Sequence, residues 1–406
     1  MTGLLPVAAL RFREALAGRI LLLLPLHFAL ALAVASSIPG PTPEARTEAA
    51  DAAALGLAAF LGLAAAAALG GAPLADERLR ARGGIVLASP AGAASRVLGT
   101  ALGTGGALLL LLAGLLASAI AAVDFGTGAP PRAARAMLRA ASLEGGVPDR
   151  REPGLVWLTA AAPEATARFD APAPPGAFVE IEARPRLGGA GLPGSKRASI
   201  RFPGSLEADL VRVRTGLQGS FRVGVPEGAR AVTVAREVDN LDLGLRASGV
   251  RIDAGPRPRA LSRALHGAAL AAGLLAAMAA ALALSTVAGA GVAAAGALSL
   301  ALLSIFRSTF VDAAGMLASA GAMERAIGEA SGHAHASDFT GTPPALAPLF
   351  RAIGAALPDG TAFDLAHAVA GGEVPDAGDA GVAVAAGLAA AAIFLAAAVL
   401  GARRRP

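Results

Sequence analysis

Long uncharged apolar runs constrain this chain more than any other feature. In a bilayer every backbone N–H and C=O must be satisfied within the chain, so an apolar run of about 20 residues that enters lipid does so as a helix. Uncharged stretches cover Ile20 to Ile38, Ala52 to Ala75, Val97 to Val123, Gly267 to Phe306, and Ala380 to Ala402. The fourth has about twice the length of one span at 1.5 Å per residue. It contains "LSTVAGAGVAAAG", whose small residues suit a tight turn, so it divides near Ser285 to Gly291 and six helices result. Several runs are alanine-dominated, as in "GLAAAAALGGA", and one such run alone would also suit a buried helix of a soluble protein. Spanning length repeated in five separate runs argues for lipid. The composition agrees: 55% of residues are hydrophobic, only 16% are charged, and soluble domains carry about 25% charged residues.

Arginines in short loops favour the cytoplasm. Arg11, Arg13 and Arg19 precede the first helix, Arg78, Arg80, Arg82 and Arg96 lie between the second and third, and Arg403, Arg404 and Arg405 follow the last. Six crossings place all three groups on one side, with both termini cytoplasmic in a bacterial inner membrane. Arg257, Arg259 and Arg263 break the pattern by preceding the fourth helix on the opposite side. The first run ends in Ala33-Val34-Ala35 like a secretory signal, but the basic segment ahead of it is long, which favours a retained helix.

Between the third and fourth helices, residues 124–262 form an extracytoplasmic domain. "PPRAARAMLRAASLEGG" reads as a short amphipathic helix. Next come "GLVWLTA", "AFVEIEARPRL", "ASIRF", "ADLVRVR", "SFRVGV", "ARAVTVAREV" and "SGVRI", short alternating runs separated by Pro and Gly. Period-two alternation at close spacing predicts an antiparallel β sandwich or jelly roll, with Trp157 in its core. Residues 307–379 form a second outside segment, in which "ALAPLFRAIGAAL" has helical spacing but is too short to span. The membrane halves are thus 1–123 and 263–406, and a cytoplasmic loop at 75–97 joins the second and third helices.

That loop holds the charged cluster "DERLRAR", followed by "IVLASP" and the glycines Gly99 and Gly103. The arrangement resembles the permease subunits of ABC-2 type transporters, in particular those named for multicopper-enzyme maturation. Glu77, Arg78, Arg82, Leu87, Pro90, Gly99 and Gly103 carry the likeness. Three further stretches agree: "RFREALAGRILLLLPLHFALALAVAS", the helix led by Asp51, and "ALPDGTAFDLAHAVAGGEVP" before the last span. The resemblance implies a permease that works with a separate ATPase, two copies of each per complex. It also implies that force enters through Asp76, Glu77, Arg78, Arg80, Arg82 and Arg96. On a helix, Asp76 with Arg80 and Arg78 with Arg82 share a face and line up toward a partner; spacing alone equally fits a solvated, cytoplasmic anchor.

No chemistry of the chain's own stands out. Cysteine is absent, which excludes disulfides, thiolate metal sites and a cysteine nucleophile. No phosphate-cradling "GxxxxGK[ST]" loop is present, and Lys196, the single lysine, falls in the strand-rich region. If the chain serves an ATP-driven transporter, as the resemblance implies, ATP and Mg belong to a partner ATPase, and no cofactor is expected in this chain. "GxSxG" and "HExxH" are missing, and no histidine stands out as a partner for Ser118 in the third helix. His333, His335 and Asp338 make an incomplete metal set on a small-residue loop. His27 lies inside the first span, where an ionisable group is either functional or packed against another helix. Scattered arginines and few aromatics give no nucleic-acid arm. The expectation is a non-enzymatic transporter permease of unknown cargo. The competing reading is a membrane-anchored envelope protein whose β domain binds a ligand or partner.

Overall fold

The computed structural model describes residues 3–38, 43–81, 92–127, 134–149, 154–187, 195–201, 209–214, 219–236, 241–305, 348–349, 352, 373–374 and 377–403. The chain divides into two compact units: one holds Met1–Arg132, Ser262–Gly371 and Ala377–Pro406, the other Ala133–Leu261 and Gly372–Asp376.

The first unit is helical. Its helices are α1 (Leu4–Ala17), α2 (Leu23–Ser37, entered through a 3₁₀ turn at Arg19–Leu22), α3 (Pro43–Ala81), α4 (Ala93–Thr127), α5 (Arg259–Ser285), α6 (Ala290–Ile305) and α7 (Ala377–Arg403). Among the described residues, five apolar segments are long enough to cross a membrane: Arg19–Ser37, Arg46–Ala75, Ala93–Thr127, Arg259–Ser285 and Ala377–Arg403. The Gly267 to Phe306 run breaks between Ser285 and Ala290, inside "STVAGA". Its second half, α6, has 16 described residues, fewer than the roughly 20 that a span needs. The helices are apolar on both their buried and their open faces. Leu26 and Leu30 of α2 and Val382, Leu388 and Ile393 of α7 are exposed, as suits side chains solvated by lipid.

Small residues set the helix packing. A Cβ at Gly103 would stand 2.3 Å from the Ala8 carbonyl oxygen, and one at Gly99 would stand 2.8 Å from that of Leu4. The pair is one GxxxG step of α4, and it gives α1 a seat against the α4 backbone. Gly70 does the same for α3 on α5, where a Cβ would lie 2.2 Å from the Met278 carbonyl oxygen. Leucines fill the space between these contacts: Leu63, Leu108, Leu111, Leu115, Leu270 and Leu274 form one buried cluster from α3, α4 and α5.

The second unit is all β among its described residues. The long strand β11 (Leu241–Arg257) is the hub, pairing antiparallel with β1 (Ala134–Arg139), β4 (Leu155–Leu158) and β6 (Phe178–Leu187). β12 (Glu373–Val374) runs parallel to β1, so the chain returns to this unit just before α7. With β2 at Ser142–Gly145, β3 at Val147–Pro148, β5 at Glu164–Arg168, β7 at Ser195–Arg201, β8 at Asp209–Arg214, β9 at Gly219–Gly224 and β10 at Ala231–Arg236, one sheet runs β12-β1-β11-β4-β3, with β6 joining β11 to β9, and the other runs β2-β5-β10-β7-β8. Val179, Ile181, Leu243, Leu245 and Ile252 of the first sheet meet Ala165, Ala167, Ile200, Val232 and Val234 of the second in a single core. Each set recurs at every second residue along its strand, as half-buried strands require.

Two expectations are corrected here. "ARAMLR" is the strand β1 and "SLEG" is the strand β2 (Ser142–Gly145), where an amphipathic helix was expected. Alanine-rich composition favours a helix, but β11 supplies backbone partners from Ala134↔Arg257 to Arg139↔Arg251, with one register shift between Arg135 and Met137, and tertiary pairing overrides the weak propensity. Trp157 is half-buried and stands apart from the central core. Its ring covers Gly244, its direct neighbour on β11, and Nε1 donates to Asp149 Oδ2 at 2.7 Å. An indole N–H needs such a partner, which favours a site with one polar side.

Candidate functional site

Charged and polar side chains gather inside the helical unit, near the end at which α3 and α5 begin. Asp51 lies two turns into α3, and Arg263 lies one turn into α5. Arg263 Nη2 donates to both oxygens of Asp51, at 2.8 Å to Oδ1 and 3.1 Å to Oδ2. The Asp51 side chain is 2% exposed and that of Arg263 is 12% exposed. A lone charge in so apolar a bundle would be costly; a paired and hydrogen-bonded one is tolerated.

One turn deeper on α3, the Ala54 carbonyl accepts a hydrogen bond from His27 Nε2 at 3.1 Å. A carbonyl only accepts, so Nε2 carries the hydrogen and Nδ1 is left to accept from the hydroxyl of Ser118 on α4. Ser118 Oγ also lies 2.9 Å from the Leu115 carbonyl oxygen, the alternative acceptor for its one hydroxyl hydrogen and the usual back-bond of a helical serine. Three helices, α2, α3 and α4, are thus tied through one imidazole that is fully buried. His27 is the partner of Ser118 that the sequence did not reveal.

A serine beside an oriented imidazole is the opening half of a nucleophile–base pair. Acyl transfer also needs N–H donors for an oxyanion. The backbone N–H groups around Ser118 are committed to α4, which runs unbroken from Ala93 to Thr127. The geometry therefore fits an interhelical clamp and lacks a complete catalytic centre.

His266 follows Arg263 by three residues on α5 and is fully buried, and among the described residues neither ring nitrogen has a hydrogen-bond partner. Ser262, buried one turn before it, lies on the same face. Asp51 with Arg263 and His27 with Ser118 are one turn apart along α3, and His266 follows Arg263 by one turn on α5, so the five form a polar layer that adjoins the leucine-rich cluster of α3, α4 and α5 on one side and an alanine-rich cluster on the other.

The charged residues singled out in the sequence lie at the other end of α3. Asp76, Glu77, Arg78 and Arg80 belong to its last turns, so the cluster continues the second span without a break and is not a separate short helix. Pro73 sits just before them inside the helix, where it removes one backbone hydrogen bond. Arg96 is in the first turn of α4, its N–H donating to the Gly92 carbonyl at 3.1 Å. Arg82, Leu87 and Pro90 lie outside the described residues, as do His333, His335, Asp338 and most of "ALAPLFRAIGAAL". Among the described residues, no group of three His, Asp or Glu side chains is placed to hold a metal ion.

Only the ion pair has a trace in the sequence. Arg263 is an arginine on the side where the short-loop pattern disfavours one, and Asp51 is an acid at the head of an apolar run. Two opposite anomalies of that kind are a signal for pairing. His266 carried no such signal. Compared with protein-family models, curated proteins and solved structures, the chain matches none.

Proposed function

We propose that this chain is the membrane-spanning permease subunit of an ATP-binding-cassette transporter, working with a separate ATPase. The observation that carries the reading is the polar layer. Ionisable side chains held inside apolar spans are expensive, and they commonly mark the route of a substrate or ion. An anchor has no use for an ion pair and two buried histidines at membrane depth. The resemblance of the α3–α4 region and the flanking segments to ABC-2 permeases supports the same reading.

In this proposal α6 and the residues after it complete a sixth crossing, both termini are cytoplasmic, and the β unit is extracytoplasmic. The last turns of α3, with Asp76, Glu77, Arg78 and Arg80, followed by Arg82 and Arg96, receive the ATPase. A continuous helix transmits displacement along its axis, and α3 runs for 39 residues from those charges past the polar layer. The pairing of Arg263 with Asp51 also takes one of the three arginines out of the conflict with the arginine pattern, because a neutralised arginine within a bundle is no topogenic loop charge; Arg257 and Arg259 end a long domain, where the rule is weak.

The test is co-purification from detergent with the ATP-binding-cassette subunit encoded beside this chain, with ATP hydrolysis as readout. Complex formation and stimulated hydrolysis, both lowered by the double reversal Arg78→Glu and Arg82→Glu, are expected. A well-folded chain that associates with no ATPase would instead favour an anchor for a ligand-binding β unit.

A further inference from the structure

On one face of α5, Arg263 Nε and both ring nitrogens of His266 are buried with no hydrogen-bond partner among the described residues. They are three residues apart, so they stand one turn apart on the same face. Asp51 engages the guanidinium only through Nη2. The charge of Arg263 is thereby balanced while its Nε–H remains unspent. The imidazole is fully buried and offers one N–H when neutral and two when protonated.

We propose that Arg263 Nε–H and His266 bind the carboxylate of a small organic acid, and that the acid anion enters with one proton. A carboxylate has two acceptor oxygens in a plane, one for each donor, and guanidinium edges match that geometry. A halide offers only one centre to two donors a turn apart. The proton follows from charge. Asp51 and Arg263 sum to zero, so a bound anion would leave the layer at minus one in apolar surroundings, which is strongly unfavourable. Protonation of His266 restores neutrality and gives it a charged donor. Other titratable or charged groups on the helices that bear this layer are His27 on α2, whose two nitrogens are both engaged, Arg46 and Glu48 just before Asp51 on α3, Asp124 on α4, Arg259 one turn earlier on α5, and Asp379 near the start of α7. No bond of the ligand is made or broken; one proton passes from solvent to the imidazole. The site is a property of the bundle and needs no ATPase, so its failure would leave the permease reading standing.

The experiment adds sodium acetate to the full chain in detergent, weakly buffered near neutral pH, and follows proton uptake with an indicator dye. Saturable uptake approaching one proton per chain is expected, with sodium chloride at the same ionic strength producing none. The His266→Gln variant, checked for folding by circular dichroism, should lose the uptake. Nitrogen NMR of the histidine-labelled wild type reads the same event directly, as conversion of one imidazole to imidazolium on acetate addition. Absence of saturable uptake in the folded wild type, or uptake unchanged in His266→Gln, would overturn the site. Equal uptake with chloride would overturn its carboxylate specificity.

Discussion

Asp51 and Arg263 lie 212 positions apart in the chain, yet the arginine's Nη2 donates to both oxygens of the carboxylate, joining α3 to α5 inside the helical unit. The pair fixes the relative height of two helices that enter the bundle from the same end. Breaking a buried pair by removing one partner costs about 3–5 kcal/mol, because the other charge is stranded. Asp51→Asn and Arg263→Gln should each lower the thermal stability of the purified chain by that order. The double variant should be less damaged than either single one, since no unpaired charge remains. A double variant as unstable as the sum of the two singles would show that the residues act separately.

The seat of α1 on α4 makes a second prediction. At Gly103 the obstacle to any side chain is the Ala8 carbonyl oxygen, part of the backbone, and it cannot rotate away. Gly103→Leu should therefore displace α1. The natural chain has no cysteine, so a pair introduced at Phe12 and Gly106, where a Cβ on Gly106 lies 3.4 Å from the Phe12 ring, can be cross-linked without background. Cross-linking should be efficient in the parent and fall several-fold with Gly103→Leu. Gly56→Leu serves as the control, because a Cβ there meets nothing within 4 Å.

His27 predicts a modest loss and an absent activity. His27→Leu leaves the Ala54 carbonyl and the Ser118 hydroxyl without their imidazole, and Ser118 keeps its bond to Leu115. The cost should be about 1–2 kcal/mol, the range for interhelical hydrogen bonds in model membrane peptides. Fluorophosphonate probes, which label activated serines, should leave Ser118 unmodified. Labelling at Ser118 that disappears in His27→Leu would reveal a nucleophile that the clamp reading denies.

In the β unit, Trp157→Ala uncovers Gly244 and frees Asp149 of the indole N–H. The loss should resemble that of a half-buried aromatic, roughly 1–3 kcal/mol. Trp157→Phe should recover the covering of Gly244 but not the hydrogen bond, and so fall between the two. Equal stability of the Ala and Phe variants would mean that the ring's cover of β11 is worth nothing.

The sequence made the local features legible and left the distant ones hidden. Ile20–Ile38 and Ala380–Ala402 show as spans because length and apolarity are properties of a contiguous run. "VEIEA" and "AVTVA" show as strands because alternation is local as well. β1 was misread because its ladder partner on β11 lies more than 100 residues away, and nothing within "ARAMLR" reports it. Ser118 and His27, 91 positions apart, are each ordinary in their own helix, and their pairing exists only once α2, α3 and α4 are packed. The return of Glu373–Val374 to β1 is two residues long, too short for any periodicity.

The account depends most on where the chain meets each side of the bilayer. The cysteine-free background allows single cysteines at Ala81, at the end of α3, at Arg403, at the end of α7, and at Glu227, exposed in the β unit. Labelling with a membrane-impermeant maleimide in intact and then permeabilised cells reads their sides directly. Positions 81 and 403 should react only after permeabilisation, and position 227 should react in intact cells. Opposite sides for 81 and 403, or a shared side for 81 and 227, would contradict the proposed crossing pattern and the ATPase-facing role of the α3 terminus.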